Sequence, residues 1–337
     1  MIIGILNQTS EFETRTVATP QTVSLLKKLG FDIFIESNSG LSAGFDNDDY
    51  QNAGAAIHKN PTEIISKSNN LLCLSAPKIS DLKKLKPQTT LIGNFQDLTD
   101  TSALSDLQKK QITCFALEKL PRLSRAQPFD ILSSQNNLAG YRAAVEAVEL
   151  SGQAAPMMIT SAGTLPPLKF LIIGAGVAGL QAIATAKRLG GKVYASDPRE
   201  ETKDQIKSLG ATPVEDIKTI LMQCNIIITS AFSAGKEAPL IITGAMLEQL
   251  PKGAVLIDMA AQYGGNIEGA KNFEIIRRDG RIIYGNSNLA AKIPYSASLL
   301  LANNFYNFIN YIYSPENKTI SPDFNDPLIS GIVLTKG

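Results

Sequence analysis

Lys169-Phe-Leu-Ile-Ile-Gly-Ala-Gly-Val-Ala-Gly-Leu-Gln-Ala-Ile-Ala-Thr-Ala-Lys-Arg-Leu-Gly-Gly-Lys-Val-Tyr-Ala-Ser-Asp197 reads in order as a strand, a glycine turn, a helix, a second strand and a closing carboxylate. This is the pattern of a dinucleotide-binding unit. Gly174 permits the tight turn, Gly176 lets the backbone approach a pyrophosphate, and Gly179 lets the helix lie close on the strand. Val177 and Ala178 begin the helix whose N-terminus would receive the anion. Asp197 follows the turn by the expected interval of roughly 20 residues, where a carboxylate accepts hydrogen bonds from both ribose hydroxyls and repels a 2′-phosphate. NAD(H) is therefore the expected nucleotide, with Pro198 beside that ribose. Arg199 dissents: an arginine there can hold a 2′-phosphate, or it is a solvated loop cation.

Outside this stretch the chain has ordinary globular proportions. Its 337 residues favour two domains of about 150 each. Lys and Arg number 32 against 31 acidic residues, so no field draws nucleic acid or anionic lipid. The longest apolar run, residues 168–186, holds Lys169 and three turn glycines and changes from strand to helix midway, which disfavours a membrane span. Met1 leads straight into the strand-like Ile2-Ile-Gly-Ile-Leu6, unlike a signal peptide, so the expectation is a cytoplasmic chain without direct membrane insertion. Cys73, Cys114 and Cys224 are far apart and lie in or beside apolar runs, which predicts buried free thiols and no metal site.

Residues 1–120 alternate short apolar strands with amphipathic segments, the rhythm of a parallel sheet covered on both faces. A second alternation runs from 168 to 284, with helices expected over 216–224 and 243–250. Residues 131–150 and 296–313 read as long helices. The fold class is thus α/β, two Rossmann-like doubly wound parallel-sheet domains joined by long helices. The expected N-terminal domain is 1–130, completed by about 300–337, and the NAD-binding domain is 131–299. Aromatics in the last helix, Phe305, Tyr306, Phe308, Tyr311 and Tyr313, read as core or subunit-interface packing. His58, the single histidine, falls at the end of an expected helix, as a surface residue with no titratable cluster.

A dinucleotide fold does not name a reaction. The segment Pro121-Arg-Leu-Ser-Arg-Ala-Gln-Pro-Phe-Asp-Ile-Leu-Ser-Ser-Gln-Asn-Asn-Leu-Ala-Gly-Tyr-Arg142 narrows it, together with Pro156-Met-Met-Ile-Thr-Ser-Ala-Gly163, Glu13-Thr-Arg-Thr-Val-Ala-Thr-Pro20 and Asp258-Met-Ala-Ala-Gln-Tyr-Gly-Gly-Asn266. These resemble the NAD(H)-binding alpha subunit of proton-translocating nicotinamide nucleotide transhydrogenases, over nearly the whole chain. The resemblance implies that Arg122, Gln127 and Asp130 surround the nicotinamide, with Ser133 near the ring. It implies nucleotide contacts at Ala231, Phe232 and Gly235 in the glycine-containing turn Ser230-Ala-Phe-Ser-Ala-Gly-Lys-Glu-Ala-Pro239. It also implies a homodimer working with NADP-binding and membrane proton-channel subunits, and so a place peripheral to the inner membrane. Read from the residues alone, Arg122 and Asp130 could instead be a structural ion pair.

The chain departs from the family in four places. A long mobile insertion with a tyrosine normally covers the bound nucleotide, whereas here residues 208–216 run directly into the next helix. Gln262 stands where the family has Glu, Pro128 lies inside the nicotinamide loop, and Phe232 and Ser233 replace apolar and proline residues. A shortened NAD-binding relative without turnover is the alternative that the missing insertion supports. Alanine dehydrogenases share the early Glu-Thr-Arg, but a histidine expected near 94–96 and an acidic residue at the Gln262 position are absent. Lys78 alone cannot do their chemistry.

Overall fold

The computed structural model describes all residues except 97, 99 and 233–235. Two compact units emerge, Met1–Gln135 with Ile293–Gly337, and Asn136–Lys292. The first contains β1 (Ile2–Ile5), α1 (Pro20–Lys28), β2 (Asp32–Glu36), α2 (Asn47–Asn52), β3 (Ala56–His58), α3 (Pro61–Lys67) and β4 (Asn70–Cys73). It continues through α4 (Ile79–Leu82), β5 (Thr90–Gly93), α5 (Thr101–Lys109) and β6 (Thr113–Ala116). Helix α6 (Ile131–Ser151) carries the chain into the second unit.

There follow β7 (Met158–Thr160), β8 (Gly163–Leu165), β9 (Lys169–Ile173), α7 (Val177–Arg188), β10 (Lys192–Ser196), α8 (Thr202–Ser208) and β11 (Thr212–Pro213). Next come α9 (Lys218–Leu221), β12 (Ile226–Thr229), α10 (Gly244–Gln249), β13 (Val255–Asp258), β14 (Ile275–Arg278) and β15 (Arg281–Gly285). The chain then returns to the first unit with α11 (Pro294–Tyr311), β16 (Tyr313–Ser314), β17 (Thr319–Ile320), α12 (Pro327–Ser330) and β18 (Val333–Thr335).

The first sheet has the order β18-β6-β5-β4-β1-β2-β3, parallel except for β18 on β6. Its core follows from the two-residue period of a strand. Leu72, Ile92 and Phe115 point to one face, with Phe305, Phe308 and Ile309 of α11. Leu71, Cys73, Leu91 and Cys114 point to the other, with Ile64, Ile65 and Leu107. The second sheet has the order β11-β10-β9-β12-β13-β15-β14, parallel except for β14 on β15. β12 and β13 are buried at every position, as strands covered on both faces must be. Both units are doubly wound α/β sheets, as the strand–helix alternation implied.

Two local expectations change. His58 ends edge strand β3 and not a helix; its ring packs on Phe34 with centroids 4.3 Å apart, and its Nδ1 lies 3.3 Å from Glu63. The helix expected over 216–224 contracts to the single turn α9. Residues 156–163, singled out only by resemblance, lead into the hairpin β7–β8, which pairs Met158–Thr160 with Gly163–Leu165. All three cysteines are buried and free, and burial pushes the Cys73 and Cys224 thiols up to about 12, leaving them inert. Among the described residues no helix is long and apolar enough to cross a membrane, and no cluster of metal-ligating side chains occurs.

Candidate functional site

The strand order of the second unit reverses direction between β9 and β12, and ligands of such sheets bind at the carboxyl ends of the strands flanking that reversal. The glycine turn lies there. Gly174 has a φ of +98°, a left-handed conformation open to glycine, and a Cβ on it would come within 2.8 Å of Ser230 Oγ. A Cβ on Gly179 would stand 1.7 Å from the Gly174 carbonyl oxygen, so only glycine lets α7 begin this close to its strand. At Gly176, which caps α7, a Cβ would meet nothing within 4 Å. That open backbone, beside the exposed Val177 and the unpaired N–H groups of the first helical turn, is the space a pyrophosphate needs. A second close approach lies outside the motif. A Cβ on Gly140, in α6, would lie 2.0 Å from the Ala178 carbonyl oxygen. The available signal was a glycine inside a long helix, which costs about 1 kcal/mol against alanine and so calls for a packing reason.

Asp197 follows β10 with its side chain almost fully buried. Its Oδ2 accepts from the Ala175 backbone N–H at 2.7 Å, tying the carboxylate to the glycine turn. Arg199 forks onto it, Nε to Oδ1 at 2.9 Å and a terminal nitrogen to Oδ2 at 3.0 Å. Burial alone would raise this carboxyl, but the guanidinium and the backbone N–H groups of Ala175 and Arg199 outweigh burial and hold it below the ordinary carboxylate range. Arg199 is therefore neither an isolated surface cation nor a free phosphate ligand in this structure. Its side chain is half exposed. Pro198 lies between the two, exposed.

At the end of β12, Ser230 Oγ donates to the Gly174 carbonyl at 3.3 Å, and Ala231 is held on both sides by the buried Asn266. Phe232 is 37% exposed and stacks on Tyr263. Gly235 lies outside the described residues. Gln262 is exposed, and its backbone N–H donates to Ser287 Oγ at 3.0 Å.

In the first unit, residues 121–130 lead into α6. Asp130 caps that helix, accepting from the Ser133 N–H at 2.9 Å and from the Ser133 hydroxyl at 2.7 Å. The alternative ion pair is thus not formed, and the Ser133 hydroxyl is engaged by Asp130. Arg122 and Gln127 are exposed, and their side chains make no hydrogen bond or ion pair among the described residues. In the same loop Ala126 and Phe129 turn inward, Phe129 against Phe308 at 5.8 Å and Tyr311 at 5.3 Å. Pro128 interrupts a 3-10 turn, and its carbonyl accepts from Asn304 at 2.8 Å and Asn307 at 3.0 Å. Asn304 also accepts from Ser134 Oγ at 2.6 Å. These asparagines are loop anchors that the sequence pattern did not single out; their signal was amide side chains recurring within an otherwise apolar helix. The Glu13-Thr-Arg15 segment joins the same unit through Arg15, which pairs with Glu13 at 2.6 Å and donates to Gln135 at 2.9 Å.

Comparison with known proteins agrees along the full length. The N-terminal domain of the family described as Alanine dehydrogenase/PNT matches residues 4–139, and its C-terminal domain matches residues 143–337. A Rickettsia prowazekii protein named for the alpha subunit of NAD(P) transhydrogenase is 38% identical over 367 positions, covering 100% of this chain and 95% of its own. Those 367 positions exceed the 337 residues here, so at least 30 (367 − 337) have no counterpart in this chain. A solved structure of transhydrogenase from Sinorhizobium meliloti superposes with a TM-score of 0.93 at 35% identity, covering 100% of this chain and 99% of that one. An L-alanine dehydrogenase structure reaches a TM-score of 0.86 at 21% identity, over 100% and 95% of the two chains, a likeness of fold alone. The chain belongs to the alanine dehydrogenase/PNT family, and within it to the NAD(P) transhydrogenase alpha subunits.

Proposed function

We propose that this chain is the NAD(H)-binding component of a proton-translocating transhydrogenase. Gly174, Gly176, Val177, Ala178 and Gly179 hold the pyrophosphate, Asp197 and Pro198 border the adenosine ribose once Arg199 has moved, and Ala231 and Phe232 border the second nucleoside. When bound, the nicotinamide supplies the hydride, which passes to NADP+ on a partner subunit in exchange for proton flow through a membrane subunit. Arg122, Gln127 and Asp130 orient the ring. Transfer between two nicotinamides moves no proton at a substrate oxygen, so orientation and electrostatics suffice and no acid–base pair is needed. The observation that carries this reading is the open backbone at Gly176, with the Asp197 carboxylate tied to the same turn.

The homodimer belongs to the same proposal. Hairpin β7–β8 exposes Met158, Ile159 (74%) and Leu165, an apolar surface that a second copy would cover. The assembled protein would lie on the cytoplasmic side of the inner membrane through its partners. A second reading, a nucleotide-binding relative without turnover, is favoured by the short passage from α8 to α9 and the positions of the relative that have no counterpart here.

The test is titration of the full chain with NADH and NADPH, then mixing with an NADP-binding transhydrogenase component and assaying hydride transfer. Selective NADH binding with transfer is expected. Binding without transfer would favour the second reading, and no binding of either nucleotide would overturn both.

A further inference from the structure

The loops after β12 and β13 are joined more tightly than a passive surface requires. Asp258 is buried, and its Oδ1 accepts from Ala260 N–H at 2.9 Å while its Oδ2 accepts from Asn266 at 2.8 Å and Ile267 at 2.9 Å. Around this carboxylate the chain turns through Gly264 and Gly265, both left-handed. Asn266, also buried, reaches across to the neighbouring loop. Its Nδ2 donates to the Ala231 and Pro239 carbonyls at 2.9 Å each, and its Oδ1 accepts from the Ala231 N–H at 3.1 Å. The Ala238 N–H donates to the Tyr263 carbonyl at 2.6 Å. The product of this bracing is the near-parallel stack of Phe232 on Tyr263, with centroids 4.1 Å apart and planes at 21°.

The stack stands on the far side of the glycine turn from Asp197, because β9 lies between β10 and β12. Ser230, two residues before Phe232, touches Gly174. A dinucleotide whose adenosine ribose is at Asp197 directs its other nucleoside toward this stack. Between α8 and α9 only β11 and a short turn intervene. We propose that Phe232 and Tyr263 form a fixed aromatic wall against the nicotinamide riboside, and that Asn266 and Asp258 are positioning residues that hold it. The wall offers a flat apolar surface to a flat ring and sheds water from it without a loop having to close. This inference rests on the NAD(H)-binding reading above.

Calorimetric titration of the full chain with NADH and with ADP-ribose, which lacks only the nicotinamide ring, tests it. Stacking of this kind predicts a roughly tenfold weaker NADH affinity in Phe232→Ala and in Tyr263→Ala, with ADP-ribose affinity unchanged within about twofold. The double variant should lose less than the product of the two single losses, since each ring supports the other. Asn266→Asp, which keeps the acceptor and removes both donor bonds, should reproduce the NADH-selective loss and reduce the emission of bound NADH. Should that variant fail to fold, Phe232→Ala still decides. Equal losses for both ligands, or no loss for NADH, would overturn the wall while leaving the NAD(H)-binding reading intact. A wild-type chain that binds ADP-ribose no more weakly than NADH would also overturn it, and one that binds neither would sink both.

Discussion

The glycine turn after β9 and the loop 121–130 before α6 both precede a helix, yet they are held in opposite ways. The turn is held by what is missing: absent side chains at Gly174, Gly179 and Gly140 let backbone meet backbone. The loop is held by what is added, since Asn304 and Asn307 grip the Pro128 carbonyl and Phe308 and Tyr311 pack on Phe129. A turn built on close backbone approach cannot give way to an added atom. A loop built on side-chain anchors loses them one at a time, so its failures should be graded and confined to the groups it presents.

The largest expected effect lies in the turn. Gly179→Ala, and equally Gly140→Ala outside the motif, places a methyl against a backbone carbonyl. Each should destabilise the protein by about 3 kcal/mol in denaturant unfolding and abolish NADH binding. If either variant kept wild-type stability, the contrast between the regions would fail.

Anchor loss comes next. Asn304→Ala removes a buried amide and its bonds to Pro128 and Ser134, at about 1–2 kcal/mol, while Asn307 still holds the carbonyl. NADH affinity should change little and the hydride-transfer rate should fall, which a kcat-against-Kd comparison reads.

Asp130→Asn sharpens the distinction further. Asparagine caps α6 as well as aspartate does, so stability should change by less than about 0.5 kcal/mol. A transfer rate equally unchanged would remove the charge of Asp130 from the reaction.

The smallest effects are at Asp197 and Arg199. Their pair contributes at most about 1 kcal/mol because the arginine is half exposed, so Arg199→Ala should shift the NADH Kd by under about fivefold and leave NADPH binding weak. The Asp197 carboxyl is held below its usual value. Its contribution to stability is therefore complete above the unfolded-state pKa near 3.9 and is lost only as pH falls through the lower folded value. Asp197→Asn should flatten that acid limb in a series of unfolding curves.

The contrast also explains what could be read in advance. The central strands of both sheets and the turn glycines were legible because each is a local pattern, an apolar run between breakers or a residue type that alone permits a given backbone, whereas the edge strands β3, β11, β14 and β18 were not. Asp130 was singled out through the family resemblance, but its capping bonds to Ser133 depend on where α6 begins. His58 was misplaced because three residues of edge strand carry too little period to compete with the preceding helix signal. Hairpin β7–β8 escaped because Met158, Ile159 and Leu165 are apolar yet exposed, the reverse of the pattern that marks a strand.

By itself the sequence determined two doubly wound sheets and the place of the glycine turn, since these depend on periodicity and on the conformational freedom of single residues. Tertiary structure alone decided that Arg199 covers Asp197, that Asn304 and Asn307 hold the loop, and that Asn266 and Asp258 brace Phe232 against Tyr263. Those pairings join residues distant in the chain or choose among several available partners, and only burial and strand order bring the partners within hydrogen-bonding or stacking reach.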